Sequence, residues 1–139
     1  MSKYKFILEK QDKNARSGTI KTSLGEIKTP AFMPVATQGA IKSTPINIIE
    51  EIGYEMILSN TYHNILRPGL KIIREFTNLS KFMDWNKPIL TDSGGFQVMS
   101  LSKLREITKK GVIFQSHIDG SSHELLSLIH ISEPTRRTT

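Results

Sequence analysis

The 139 residues contain no cysteine, so they hold no disulfide framework and no thiolate metal site. No apolar run approaches the roughly 20 residues that span a bilayer. The opening MSKYKFILEKQDK has one short apolar stretch and returns at once to charge, unlike a secretory signal. There is no internal repeat and no low-complexity tract. None of the four histidines falls in an H-E-x-x-H or similar ligand pair, so no metal site is expected inside the chain. These absences argue against a disulfide-stapled secreted domain and a membrane protein, and leave a soluble cytoplasmic protein as the expectation.

What is present is ordinary for a globular chain. Hydrophobic residues make up 37% and charged residues 23%, and the length suits one domain with a core of its own. The net charge of +6, from 19 basic and 13 acidic residues, makes a polyanion such as nucleic acid a reasonable partner class. The lysines are scattered rather than clustered, so a solubilising surface explains the charge equally well.

The patterning opens with strands. Tyr4, Phe6 and Leu8 alternate with period two, and 17–22 with 24–27 read as two short strands about a glycine-containing turn. Thr29–Val35 is a short, mostly apolar run bounded by prolines, which suits a buried strand with limited ladder bonding. Ser43-Thr44-Pro45 has the form of a helix start, a hydroxyl cap followed by proline at the first helical position. Ile46, Ile49 and Ile52 would supply its apolar face and Gly53 its end. Glu55–Ser59 and Pro88–Thr91 read as buried strands, Leu70–Phe76 has helical spacing, and Val112–Ile118 alternates before an Asp119-Gly120 turn signal. An antiparallel hairpin followed by strand–helix alternation argues for an α/β fold with a parallel sheet. A closed eight-stranded barrel needs about 250 residues, so spacing leaves open a barrel fragment or a small open sheet.

The stretch Pro88-Ile89-Leu90-Thr91-Asp92-Ser93-Gly94-Gly95-Phe96-Gln97 carries the most chemistry. A strand ends in an acid, and in parallel α/β folds ligands and catalytic groups gather at the C-terminal ends of strands. Asp92 could act as base, nucleophile or ligand. The glycines let a ligand approach backbone N–H groups, and Phe96 could stack on a planar ring. An ordinary turn, with Asp92 bonding its own backbone, fits the spacing equally. Polar strand ends recur at Val35–Gly39, at Asn60-Thr61-Tyr62-His63 with Arg67-Pro68-Gly69, and at His117-Ile118-Asp119-Gly120. For the last of these an ordinary turn is expected. A lone histidine such as His63 is more often structural than catalytic, although its titration range suits either role.

Taken in order, Gly18-Thr19-Ile20, Thr29–Val35, Asn60–His63 with Arg67–Gly69, Leu90–Ser100 and Ser116–Ser121 resemble the tRNA-guanine transglycosylase (queuine tRNA-ribosyltransferase) family. Five such stretches at family-like spacing, from about Tyr4 to Leu125, are far more specific than any one alone. The resemblance implies the N-terminal part of a (β/α)8 TIM-like barrel preceded by a small antiparallel sheet, an incomplete barrel in this chain. It implies tRNA base exchange in queuosine biosynthesis, in which wobble guanine is replaced by a 7-deazaguanine, queuine or its precursor, through a covalent tRNA–Asp intermediate. By the same resemblance Asp92 is the general acid/base and contacts the base. Ser93, Gly94 and Gly95 form the base-binding loop, and Phe96 supplies the stacking face. The implied partners are the tRNA anticodon loop and the deazaguanine, with a homodimeric complete enzyme.

The family also carries a nucleophilic aspartate and a zinc site built from Cys/Cys/Cys/His, both further along than these 139 residues reach. The expectation is therefore that residues 1–125 are the N-terminal portion of a transglycosylase barrel, lacking nucleophile and zinc ligands and inactive alone. Residues 126–139, LSLIHISEPTRRTT, depart from the family and resemble translated adapter DNA, a non-native tail. A non-catalytic tRNA-associated subunit, or a remnant of the same fold, is the alternative. The intact Asp92 and its Ser-Gly-Gly-Phe loop argue against it.

Overall fold

The computed structural model describes residues 4–101 and 104–126. The expected tail from 126 onward lies outside them, apart from the backbone of Leu126. Three sheets and five short α-helices make up a mixed α/β arrangement, and no sheet closes into a barrel among the described residues.

The first sheet is the expected antiparallel opening. β1 (Lys5–Asp12), β2 (Ala15–Thr22) and β3 (Gly25–Thr29) pair in sequence order. Its buried residues come from the middle and third strands, Gly18, Thr19 and Ile27. The alternation at Tyr4, Phe6 and Leu8 is real, but that face is 62%, 47% and 48% exposed, so periodicity located the strand without locating the core. Phe6 does cover Gly18, where an added Cβ would come within 2.8 Å of its ring.

The second sheet holds the parallel strands. β4 (Val35–Thr37) turns through Gln38 and Gly39, both at positive φ, into β5 (Ala40–Ile41). α1 (Ile46–Ile52) leads to β6 (Ile57–Ser59), which lies parallel to β4. The chain then runs through α2 (Thr61–Asn64), a kinked turn at Ile65–Gly69, α3 (Leu70–Glu75) and α4 (Leu79–Met83). It returns to β7 (Ile89–Thr91), parallel to β6, giving the order β5-β4-β6-β7. The kink has a local cause: Arg67 precedes Pro68 and takes φ −149°, ψ 126°, because the proline ring disfavours helical backbone before it.

Several expectations are corrected here. Thr29–Val35 is not a buried strand: β3 ends at Thr29, β4 starts at Val35, and Phe32 between them is 72% exposed. Pro30 and Pro34 have no N–H to give a ladder, and Pro34 contributes only its carbonyl, which accepts from Leu58 N. α1 has no hydroxyl cap. Pro45 is its extended N-cap residue rather than its first helical one, and no side chain caps the helix. Ile49 is its buried residue and Ile52 faces out, while Gly53 closes the helix at φ 92° as expected. β6 is buried, as read, but β7 is not: Leu90 and Thr91 are exposed, since β7 ends the described sheet.

Trp85 explains how β7 is held despite that exposure. Its ring is fully buried with Ala36, Ile49, Ile57 and Met83, and its indole N–H donates to the Pro88 carbonyl at 3.1 Å. The same carbonyl accepts from Ile57 N, so one oxygen joins the core indole, β6 and the start of β7.

After β7 comes α5 (Gly95–Leu101), then an antiparallel sheet of β8 (Arg105–Ile107), β9 (Gly111–Gln115) and β10 (Ser122–Leu126). The expected strand at Val112–Ile118 stops at Gln115, and its neighbours are antiparallel, outside the strand–helix alternation. Val112 and Phe114 of β9 pack with Tyr62 of α2 and Val98 of α5 in a second buried cluster.

Candidate active site

The register places the site. β6 and β7 run parallel with Ser59 opposite Thr91, so the residues that follow, Asn60 and Asp92, leave the sheet side by side at the same end. Asp92 is partly buried, and both carboxylate oxygens are engaged. Asn60 Nδ2 donates to Oδ2 at 2.6 Å and the Thr61 backbone N–H donates to Oδ1 at 2.8 Å. The Thr61 hydroxyl donates to the Asp92 carbonyl. Each carboxylate oxygen keeps acceptor capacity for a further donor.

Asn60 is committed at both ends of its amide. While Nδ2 holds Asp92, Oδ1 accepts from His63 N at 3.0 Å and caps α2. An Asn at this position uses an amide oxygen to satisfy an otherwise orphan helix N–H, and that fixes the direction in which its NH₂ points. Ser59 and Asn64 continue the buried polar layer, Asn64 Nδ2 donating to Ser59 Oγ at 2.7 Å.

The loop Ser93-Gly94-Gly95 lies against the same turn. Gly94 has φ +69°, and an added Cβ would sit 3.0 Å from Tyr62 N and 3.2 Å from Tyr62 Cβ. Only a glycine meets both the backbone conformation and the close approach. Ser93 Oγ accepts from Gly95 N, the first residue of α5. Phe96, in the first turn of α5, is 78% exposed, an open aromatic face beside the carboxylate loop. The five residues singled out from sequence are thus contiguous at one strand end.

Three aromatic residues underlie this loop. Tyr62 is fully buried, its ring 5.2 Å from Phe114 and stacked at 5.8 Å on His117. Its hydroxyl lies 2.9 Å from His117 Nδ1. Burial pushes the Tyr62 phenol up. His63 is held below the ordinary imidazole value by burial first and by nearby His117 second, with Asp92 pulling weakly the other way. Asp119, read as a turn residue, is one: its carboxylate accepts from Ser121, and its pKa is lowered to about 2 by hydrogen bonds from Ser121 and Ser116.

Sequence reasoning singled out Asp92 but not its holders. Asn60 and Thr61 stood in a noted polar strand end, and adjacency of β6 and β7 would have paired them with Asp92. The Tyr62–His117 contact spans 55 positions and leaves no local pattern.

Parallel strands ending in an anchored carboxylate, with a glycine loop and an open aromatic alongside, form a candidate site at the sheet end of an α/β protein. The family model described as queuine tRNA-ribosyltransferase matches residues 11–131, and the chain belongs to that family. It is 55% identical over 125 residues to the queuine tRNA-ribosyltransferase of Rickettsia akari (strain Hartford), covering 90% of this chain and 35% of that protein. Proteins of the same name from Rickettsia felis and Rickettsia prowazekii are 54% identical with the same coverage. The chain thus spans about a third of the length of these relatives. Among the described residues no helix is long and apolar enough to cross a membrane.

Proposed function

We propose that this chain supplies the acid/base part of a tRNA base-exchange site, which replaces guanine at the wobble position with queuine or its precursor. The observation that carries the reading is Asp92 at the end of β7, fixed by Asn60 and the Thr61 amide within a family of that name. As the C1′–N9 bond to guanine breaks, the leaving base must gain a proton. As the incoming base bonds to C1′, it must lose one. A single carboxylate alternating between acid and base serves both steps. Asp92 does this and contacts the base, Ser93, Gly94 and Gly95 present backbone to its edge, and Phe96 gives its ring a stacking surface.

A second carboxylate attacks C1′ and holds the ribose as a covalent tRNA–Asp intermediate, dividing one displacement into two. We place that nucleophile in the part of the relatives that this chain does not span, so residues 1–139 alone do not exchange bases. The target base leaves its stack to enter the pocket, which an anticodon loop permits most readily. The basic surface contributes to phosphate contacts. The complete enzyme is cytoplasmic and homodimeric on this reading. A Cys/Cys/Cys/His zinc site does not fit the residues present. The sequence has no cysteine, and no group of three or more potential ligands comes together among the described residues, so we place those ligands, like the nucleophile, in the part of the relatives that this chain does not span.

The test is exchange of labelled guanine into tRNA by a chimera in which the matched 125 residues replace their counterparts in the Rickettsia akari relative. We expect exchange by the chimera and a loss of about 10²–10⁴-fold in kcat on Asp92→Asn. Full exchange by that variant would remove Asp92 from the mechanism. Binding of tRNA by the chimera with no exchange at all would favour a non-catalytic tRNA-associated protein.

A further inference from the structure

Tyr62 connects two parts of the molecule that share no sheet. Its backbone belongs to the turn that holds the site: it follows Thr61, whose N–H binds Asp92, and its N and Cβ are the surface on which Gly94 rests. Its hydroxyl reaches out of that turn to His117, on the bend between β9 and β10. The phenol and His117 Nδ1 share this hydrogen bond, and which of them donates depends on the imidazole tautomer. The contact is both hydrogen-bonded and stacked, with rings inclined at 13°, which constrains Tyr62 in direction as well as depth. Val98, Val112 and Phe114 pack around the same side chain but supply no directional bond.

We infer that His117 is a positioning residue for the base-exchange site: by hydrogen-bonding the Tyr62 hydroxyl it fixes the Asn60–Tyr62 turn, and with it the Asp92 carboxylate and the Ser93–Gly95 loop. This rests on the assignment of Asp92 above. His117 touches no reacting atom in this role. A turn free to shift by about an ångström misplaces the carboxylate against the base, and displacement of that size costs roughly a hundredfold in rate.

The chimera tests it through three variants. His117→Phe keeps a planar ring over Tyr62 and removes the hydrogen-bonding nitrogen. Tyr62→Phe keeps the buried ring and removes only the hydroxyl. His117→Asn restores a hydrogen-bonding group near the place of Nδ1. We expect the first two to lower kcat by about tenfold to a hundredfold with KM for tRNA within about twofold. His117→Asn should recover most of the loss. Should His117→Phe fail to fold, the subtler Tyr62→Phe decides. Wild-type kcat in Tyr62→Phe, or no rescue by Asn alongside a lowered melting temperature in all three variants, overturns the inference and leaves His117 a packing residue. Loss of exchange on Asp92→Asn alongside wild-type His117→Phe would reject the positioning role alone. Retention of exchange by Asp92→Asn would reject the reading beneath it.

Discussion

β6 and β7 are neighbours of equal length, in register, ending at the same level, and they do opposite work. β6 is buried, packs Ile57 in the core, and runs into a capped helix whose polar groups are largely paired inward. β7 is largely exposed, is anchored from behind by Trp85 through the Pro88 carbonyl, and ends in the one acid of the strand–loop stretch. The buried strand fixes position, and the exposed strand leads into the candidate acid. Asp92 needs both, because its oxygens are held by groups that belong to the end of β6.

The comparison breaks most sharply at Asp92. Its replacement by Asn should remove exchange by the hundredfold or more given above while leaving the melting temperature of the chimera within a few degrees. Ile57→Ala should do the reverse, costing about 2–5 kcal/mol by the cavity it leaves under β6, read by denaturant titration, with kcat per folded molecule little changed. Gly94→Ala falls between them. The left-handed backbone and the contact with Tyr62 should cost about 1–2 kcal/mol and also slow exchange, since the strain sits in the loop proposed to bind the base; equal activity to wild type would show that the loop relaxes away from α2. The smallest effect is on pH. His63 resists protonation in the folded chain and takes a proton near 6.5 when unfolded, so stability is flat above that pH and falls as pH drops through it toward the lower folded value. A melting temperature that declines less between pH 7.5 and 5.5 in His63→Gln than in wild type would confirm the sign.

The strand that carries Asp92 was legible because proximity in sequence was enough: an apolar run, an acid, then two glycines. The opening hairpin and the Gly53 helix end were legible for the same reason. Burial was not. Tyr4, Phe6 and Leu8 alternate as a core face does and lie exposed, since alternation reports two faces and not which of them is covered. The prolines at 30 and 34 outweighed the apolar character of the run between them, so no strand formed where one was expected. α5 went unread because the two glycines at its start look like loop, yet Gly95 opens the helix and Gly94 is required by both its left-handed backbone and its contact with Tyr62. The holders of Asp92 come from 31 and 32 positions away, a pairing that only strand order reveals.

The amide of Asn60 has a consequence of its own. Its NH₂ faces a carboxylate at 2.6 Å and its oxygen faces a helix N–H, so the residue joins an acid to a cap without adding charge. Asn60→Asp would alter a single heavy atom and keep the cap, but it would set two carboxylates at hydrogen-bonding distance. Like charges so close cannot both ionise, and the pair would share one proton. An uncharged neighbour is what the role proposed for Asp92, a single acid/base, requires.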